Sequence, residues 1–343
     1  MVTGLVGHGW NISDVETIVV SMETISLRTS AVTAVAPLAW GSTYYVTDHF
    51  LPPDRPLFAA VVRALPAGLL LLGYRRQLPR GHWWWRSLVL GVFTIGLFFP
   101  LVFLAGYHLP GGLAATVTAT SPLVVMGIAR VALGERAGLL RLGAAVVGLL
   151  GVALLVLETP DGADLLGVAS AGGAVVVSAI GFVLVKRWPA PVERPFDMVT
   201  LVAWQLVAGG VLLLPASLVV EGAPPAVDAP AVGGFLWLGL VGTALAYVCW
   251  FHGLGRMPAG SVALVGLLNP VVGTVLGVSL AGELFGTSQA LGMALVLGGV
   301  VAGQPAFADR IRRFASGRRR GAPQWSLRSR EPRATGTVAG GSS

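Results

Sequence analysis

Two stretches of the sequence, LPGGLAATVTATSPLVVMGIARVALGE at residues 109–135 and MPAGSVALVGLLNPVVGTVLGVSLAGE at residues 257–283, are versions of one another. They belong to an ungapped alignment of residues 88–135 with 236–283, offset by 148 positions, in which 13 of the 48 pairs are identical. The identical pairs include Pro110 with Pro258, Pro122 with Pro270, and Glu135 with Glu283. Apolar composition raises chance identity, but it does not readily match prolines and glutamates. The sequence therefore predicts an internal repeat.

The composition places this repeat in a membrane. Of the 343 residues, 55% are hydrophobic and 11% are charged, and the mean hydropathy is +0.78. A soluble domain has about 25% charged residues. A bilayer core of about 30 Å needs roughly 20 apolar residues per helix, and the apolar runs here are far longer than the roughly ten alternating residues of a barrel strand.

Charges and Pro/Gly clusters divide the chain into ten apolar segments. They are residues 31–50, 57–74, 87–106, 111–133, 139–157, 165–186, 198–220, 232–252, 259–281 and 287–306. We therefore predict an all-α integral membrane protein of ten transmembrane helices. Each repeat holds five helices, an odd number, so the second copy enters the membrane from the opposite side. This is the inverted repeat that is common among secondary transporters.

The organisation and orientation follow from the loops. Residues 31–157 form the first predicted repeat and residues 165–306 the second. Residues 1–30 are predicted as a short cytoplasmic segment, and residues 307–343 as a disordered, Arg-rich cytoplasmic tail. The basic loops fall on one side, which predicts both termini in the cytoplasm. Since much of the net charge of +7 lies in that tail, it indicates anionic lipid and not nucleic acid.

Several motifs in the two halves are similar to those of a known family. The first half has Trp40-Gly41-Ser42, Arg63 and Leu133-Gly134-Glu135; the second has Pro258-Ala259-Gly260, Asn269-Pro270 and Ala281-Gly282-Glu283. Together they resemble the EamA family of the drug/metabolite transporter superfamily. The resemblance implies ten helices, an inner-membrane location and the transport or export of metabolites. Span six departs from it, with Ser178-Ala179-Ile180-Gly181 where a Trp-Gly-Ser would echo span one.

The matched prolines are the first candidates for a solute site. Pro122 and Pro270 each fall near the middle of a span, beside Ser121 and Asn269 respectively. Interrupted helices at corresponding points mark the site in many transporters. A packing kink is the alternative, with the polar neighbours bonded to an adjacent helix. Thr116 and Thr120 share one helix face, where they either line the pathway or bond their own backbone or a neighbouring helix.

Charged and aromatic residues supply the other candidates. Arg63 is an intramembrane charge, which suits either an anion contact or gate, or a structural pair or a side chain that reaches outward. Glu135 and Glu283 each precede a new helix, where they either cap its N–H groups or act as a gate or proton site. Tyr44 and Tyr247 lie near span ends, where tyrosines commonly anchor a helix at the membrane interface. A role for Trp40, Tyr44 or Tyr247 in a solute cavity is implied mainly by the resemblance.

These features predict a secondary transporter, an exporter of a small metabolite, amino acid or drug-like solute by alternating access. Protons or a counter-solute are the candidate coupling partners, and both a monomer and a homodimer fit. No metal, cofactor or catalytic site is predicted, since P-loop and hydrolase motifs do not occur and one cysteine cannot build a cluster. A lipid-carrier flippase is the alternative. A membrane acyltransferase is a remote one, because its H-x4-D pattern, His49 to Asp54, lies in a short turn.

Overall fold

The computed structural model describes residues 12–53, 55–108, 117–156, 164–191, 195–280 and 286–307. Throughout these ranges the regular secondary structure is helical, which confirms the all-α prediction. The predicted tail lies outside the described residues apart from Phe307, as do the first eleven residues.

The helices follow the predicted apolar segments closely. They are α1 (Ile12–Gly41), α2 (Thr43–Phe50), α3 (Pro56–Arg75), α4 (Trp83–Gly91), α5 (Phe98–His108), α6 (Ser121–Leu133), α7 (Leu139–Val156), α8 (Leu165–Arg187), α9 (Met198–Val220), α10 (Ala229–Leu236), α11 (Ala246–Leu254), α12 (Ala259–Val265), α13 (Leu268–Leu280) and α14 (Thr287–Ala302). Helix α1 begins at residue 12, inside the segment predicted to precede the first span.

Short polar residues set the start of several helices. Asp164, Asp197 and Asp228 each stand directly before a helix, and each carboxylate accepts a hydrogen bond from a backbone N–H of the first turn, at 2.8 to 3.0 Å. Such caps satisfy N–H groups that have no partner within the helix. At the other end of α6, Gly134 closes the helix with φ +69°, a left-handed conformation that favours glycine.

The described part of the chain contains six helical stretches that are long and apolar enough to cross a membrane. They are Pro56–Arg75, Trp83–Ala105, Leu165–Arg187, Met198–Val220, Ala229–Leu254 and Ala259–Leu280. Large apolar side chains lie on the outer surfaces of these and the shorter helices, as at Val131, Leu139 and Val219, which are 84–89% exposed. A soluble monomer does not present so much apolar surface. The protein is therefore a multi-span membrane protein.

Helices from the two predicted repeats pack against one another along the molecule. Helix α3 lies along α9, and α7 lies along α14; α5 and α6 contact α8, and α1 contacts α11 and α13. Glycines allow the closest of these approaches. A Cβ on Gly68 would lie 2.8 Å from the Cβ of Leu206, and one on Gly151 would lie 2.8 Å from the carbonyl oxygen of Gly292. The core is therefore shared between the two halves.

Two spans carry a π-helical segment, and the two spans that contain the matched prolines are broken. The π segments are π1 (Val92–Gly96), between α4 and α5, and π2 (Trp237–Leu245), between α10 and α11. The breaks lie just before α6, at residues 119–120, and between α12 and α13, at residues 266–267. Pro122 and Pro270 follow the breaks and occupy the first turn of the next helix, where the missing N–H needs no partner.

Candidate functional site

The Trp40-Gly41-Ser42 motif fastens the end of α1 to two other spans. The indole Nε1 of Trp40 donates to the carbonyl oxygen of Gly242 in π2, at 2.9 Å. Ser42 Oγ accepts from Trp237 Nε1, also at 2.9 Å. Gly41 meets α13 so closely that a Cβ would lie 2.9 Å from the carbonyl oxygen of Asn269. Each residue of the motif therefore contacts the second half of the chain.

Arg63 lies inside the molecule and does not reach outward, since its side chain is 7% exposed. Its Nε donates to Thr243 Oγ1 at 2.7 Å and its Nη2 donates to the Gly242 carbonyl oxygen at 3.0 Å. The guanidinium carbon lies 4.9 Å from the centre of the Phe99 ring. The Gly242 carbonyl thus accepts from both Trp40 and Arg63, one bond for each of its lone pairs. This arrangement agrees with the tendency of π segments to occur at functional sites.

Aromatic rings line the region beside Arg63. Trp40 contacts Tyr247 and Trp250 with ring centroids 5.7 and 5.2 Å apart, and Phe99 contacts Tyr247 edge-on at 6.4 Å. The Tyr247 hydroxyl donates to the carbonyl oxygen of Thr94 in π1 at 3.3 Å. The structure therefore brings together three of the predicted site residues, Trp40, Arg63 and Tyr247. Tyr44 is on α2, but its side chain lies outside the described residues.

A second polar contact lies at the other π segment. Thr94 Oγ1 in π1 is 3.0 Å from Oε1 of Gln205, which is fully buried on α9. The sequence analysis overlooked Gln205, although it is the one amide or charged residue in the apolar run from Met198 to Val220. It also overlooked Phe99 and Thr243, which have no distinguishing mark in the sequence.

The residues around the helix breaks form a separate group. Thr120 Oγ1 donates to the carbonyl oxygen of its neighbour Val117 at 2.6 Å, so it bonds the backbone. Ser121 and Asn269 are half-buried, and no hydrogen bond joins them among the residues that the structure describes. Thr116 lies outside the described residues. Within the described part of the chain, no hydrogen bond joins Thr120, Ser121 or Asn269 to Arg63.

Glu135 caps a helix, although not the one that follows it in sequence. Its Oε2 accepts from the backbone N–H of Ala259, at the start of α12 in the second half, at 3.1 Å. Its Oε1 lies 2.9 Å from Lys186 Nζ, which also donates to the Met257 carbonyl oxygen at 2.7 Å. A cleft at this end of the molecule includes Glu135, Arg136 and Arg141. Glu283 lies outside the described residues.

Neither a metal site nor the acyltransferase pattern gains support in the described residues. They contain no group of three or more His, Cys, Asp or Glu side chains that could hold a metal ion. His49 stacks on the Tyr45 ring at 4.2 Å, and Asp54, its partner in the H-x4-D pattern, lies outside the described residues.

Comparison with known proteins gives one family and several relatives. The EamA-like transporter family matches twice, at residues 29–157 and 165–302. The chain is 36% identical over 266 residues to the protein PecM of Dickeya dadantii. This alignment covers 78% of this chain and 89% of PecM. It is 27% identical over 274 residues to the inner membrane transporter YedA of Escherichia coli K12, covering 77% and 86% of the two chains. Among solved structures, a crystal structure with 18% sequence identity shares the fold, with a TM-score of 0.70 over 83% of this chain and 98% of that chain.

Proposed function

The chain belongs to the EamA-like transporter family, and from that premise we propose that it exports a small metabolite, amino acid or drug-like solute across the inner membrane by alternating access. The observation that carries the proposal is Arg63, a charge buried within a span at the point where three spans meet. Ionisable residues inside a membrane are costly and usually mark a transport pathway.

We further propose that the architecture is ten helices in two inverted repeats of five. The helix contacts support this, because they recur between equivalent elements. In the first half α5 and α6 contact α8, and in the second half their equivalents α11 and α13 contact α1. The remaining equivalent helices contact each other, α3 with α9 and α7 with α14. The two matches of the family, to residues 29–157 and 165–302, give the same division.

The irregular segments support the same symmetry. Shifted by the repeat offset of 148, residues 92–96 become 240–244, which lie inside π2. Arg63 on α3 bonds Thr243 in π2, and Gln205 on α9 lies beside Thr94 in π1. A two-fold axis in the membrane plane would relate the two contacts, and exchanging the conformations of the halves would then exchange inward-open and outward-open states.

We assign the solute pathway to the aromatic region beside Arg63, with Trp40 and Tyr247 in its wall and Tyr44 nearby on α2. Ser121, Pro122, Asn269 and Pro270, with Thr116 and Thr120, are proposed for a second part of the pathway at the helix breaks. Glu135 and Glu283 are proposed as caps that hold the ends of the broken spans. Protons or a counter-solute drive transport.

Solute flux in proteoliposomes tests the proposal. Resistance of an overexpressing strain to amino acids and toxic metabolites would first identify a substrate. Arg63→Lys keeps the charge but loses the planar fork that bonds Thr243 and Gly242 together, so we expect flux to fall at least about tenfold. Gly273→Ala is the control, because a Cβ there meets nothing within 4 Å. Wild-type flux in Arg63→Lys, or no flux of any compound by wild-type protein, would contradict the proposal.

A further inference from the structure

Arg86 lies near the start of α4 and is surrounded by tryptophan rings. Its guanidinium carbon is 5.3 Å from the centre of the Trp83 ring, 5.5 Å from that of Trp188 and 5.7 Å from that of Trp85. Its Nε is buried without a hydrogen-bond partner, and no ion pair of Arg86 occurs within the described residues. The three rings are therefore the contacts that hold this cation.

Rings alone do not satisfy a guanidinium. They attract the positive charge through their faces, but the five N–H donors spread in the plane of the group and need acceptors. A buried donor without a partner is costly and rare enough to require an explanation. Arg86 as a whole is only partly buried, so acceptor oxygens from outside the chain can reach the remaining N–H donors of its guanidinium.

The described residues around Arg86 offer few carboxylates for this role. Residues 55–134 contain no Asp or Glu, while they include the exposed Arg76 and Arg80 just before α4. Asp197, in the loop that packs beside Trp83 through Phe196, is already bonded to Arg75 and to the first turn of α9. The local field is thus positive, which favours an anion from outside the chain.

The position of Arg86 indicates which anion. Trp83 begins an apolar span, so Arg86 lies at the depth of the lipid headgroups. Trp84 and Trp85 are 59% and 47% exposed, as expected of tryptophans at the membrane interface. Leu88, one turn further along α4, is also exposed and offers an apolar surface for an acyl chain.

We propose that Arg86, held by Trp83, Trp85 and Trp188, binds the phosphate of an anionic phospholipid. A guanidinium matches two phosphate oxygens with paired N–H donors, which an ammonium cannot do. The rings fix the plane of that fork, so little side-chain freedom is lost when the headgroup binds. The exposed Trp85 and Leu88 would contact the glycerol backbone and the first part of an acyl chain.

Native mass spectrometry of the detergent-purified protein tests this with phosphatidylglycerol and phosphatidylcholine in competition. We expect wild-type protein to retain phosphatidylglycerol in preference, and Arg86→Gln to lower its affinity at least about tenfold. Arg86→Lys, which keeps the charge, should lose most of the preference as well. Arg80→Gln is the matched control: it removes an exposed charge nearby and should change the affinity less than about twofold.

Several results would overturn the proposal. Equal retention of both lipids by wild-type protein would do so without any variant, as would the same loss in Arg80→Gln and Arg86→Gln, which would indicate general charge attraction. Displacement of phosphatidylglycerol by inorganic phosphate or glycerol phosphate at similar concentration would mean that the site takes soluble phosphate.

Discussion

Arg63 shows how a single residue can be retained at a site where its charge is unfavourable. An arginine at the centre of a membrane helix costs about 2.5–3.5 kcal/mol on insertion scales. The structure offsets this with Thr243 Oγ1, the Gly242 carbonyl oxygen and the face of the Phe99 ring. Because these partners lie on π2 and α5, the buried charge also links α3 to spans from both halves.

Thr243→Val tests the hydroxyl that Arg63 uses. Valine has nearly the same shape but no acceptor, so Arg63 Nε would lose its partner at 2.7 Å. Hydrogen bonds to charged groups contribute about 1.5–3 kcal/mol, and we expect a loss of stability of that size. Thermal unfolding in detergent measures it.

Thr274→Val is the control for that substitution. The Thr274 hydroxyl bonds the Pro270 carbonyl oxygen of its own helix, a local bond whose removal should cost less than about 1 kcal/mol. Equal melting temperatures for the two variants would mean that Arg63 does not depend on Thr243.

At this scale the sequence predicted the charge but not its partners. Arg63 stands out because it is ionisable in an apolar run. Thr243 and Gly242 lie about 180 residues away in another apolar run, where nothing distinguishes them from neighbouring small residues. Gln205 could have been found, since a buried amide in a membrane span is as unusual as a charge.

At the scale of elements, the prolines mark the irregular spans, and each lies in the first turn after its break. Pro270 is the third residue of α13, and the preceding turn is formed by tight bonds such as that from Leu267 N to Leu264 O at 3.1 Å. The sequence placed both interruptions near the right residues. It could not foresee π1 and π2, because an extra residue in a helical turn leaves no mark in the pattern of apolar residues.

Gly41→Ala tests the contact between α1 and α13. A Cβ at Gly41 would lie 2.5 Å from the Val272 Cβ and 2.9 Å from the Asn269 carbonyl oxygen, so the two helices would have to separate. Overpacking of this kind costs about 1–3 kcal/mol. Gly273 lies on α13 beside Val272, and a Cβ there would meet nothing within 4 Å. Gly273→Ala should therefore be neutral or slightly stabilising. Similar melting temperatures for both variants would rule out the close approach.

Asp164→Asn tests the link between the end of α5 and the start of α8. The Leu166 N–H and then the His108 ring, 2.7 Å away, lower the pKa of the Asp164 carboxyl below its ordinary 3.8. A lowered pKa means that the charge stabilises the fold above pH 3.8 and that this stabilisation is lost as the pH falls through the folded-state pKa. Asparagine caps a helix equally well, so the substitution removes only the charge.

The expected result is a lower melting temperature for Asp164→Asn than for wild type at pH 6, with the two converging below pH 3.8. Asp228 caps a helix in the same way, but the described residues show no histidine beside it. The melting temperature of Asp228→Asn should therefore differ less from that of wild type at pH 6. If the difference in melting temperature between Asp164→Asn and wild type persisted at low pH, an ionic contribution would be excluded.

For the whole molecule, hydropathy and the repeat predicted the helix ranges to within a few residues at most ends. The apolar segments 57–74, 165–186 and 198–220 correspond to Pro56–Arg75, Leu165–Arg187 and Met198–Val220. Lipid explains this success, because a bilayer offers no water to backbone polar groups and so favours continuous helices over the apolar runs. The pairing of α3 with α9 and of α7 with α14 was beyond reach, since small residues at a helix contact look like any other glycine or alanine.

The inverted repeat makes a prediction about the membrane side of two equivalent loops. Leu78 lies in the loop between α3 and α4, and Ala226 lies in the loop between α9 and α10, which is the same position in the second half. If the halves are inverted, single cysteines at these exposed positions must react from opposite sides, with Leu78 on the cytoplasmic side because its loop is rich in arginine.

A Cys249→Ser background removes the one native cysteine, which is buried. A membrane-impermeant maleimide applied to intact cells should label Ala226→Cys, and Leu78→Cys should react only after the cells are opened. Labelling of both from the same side would show that the repeats are parallel, whatever the protein transports.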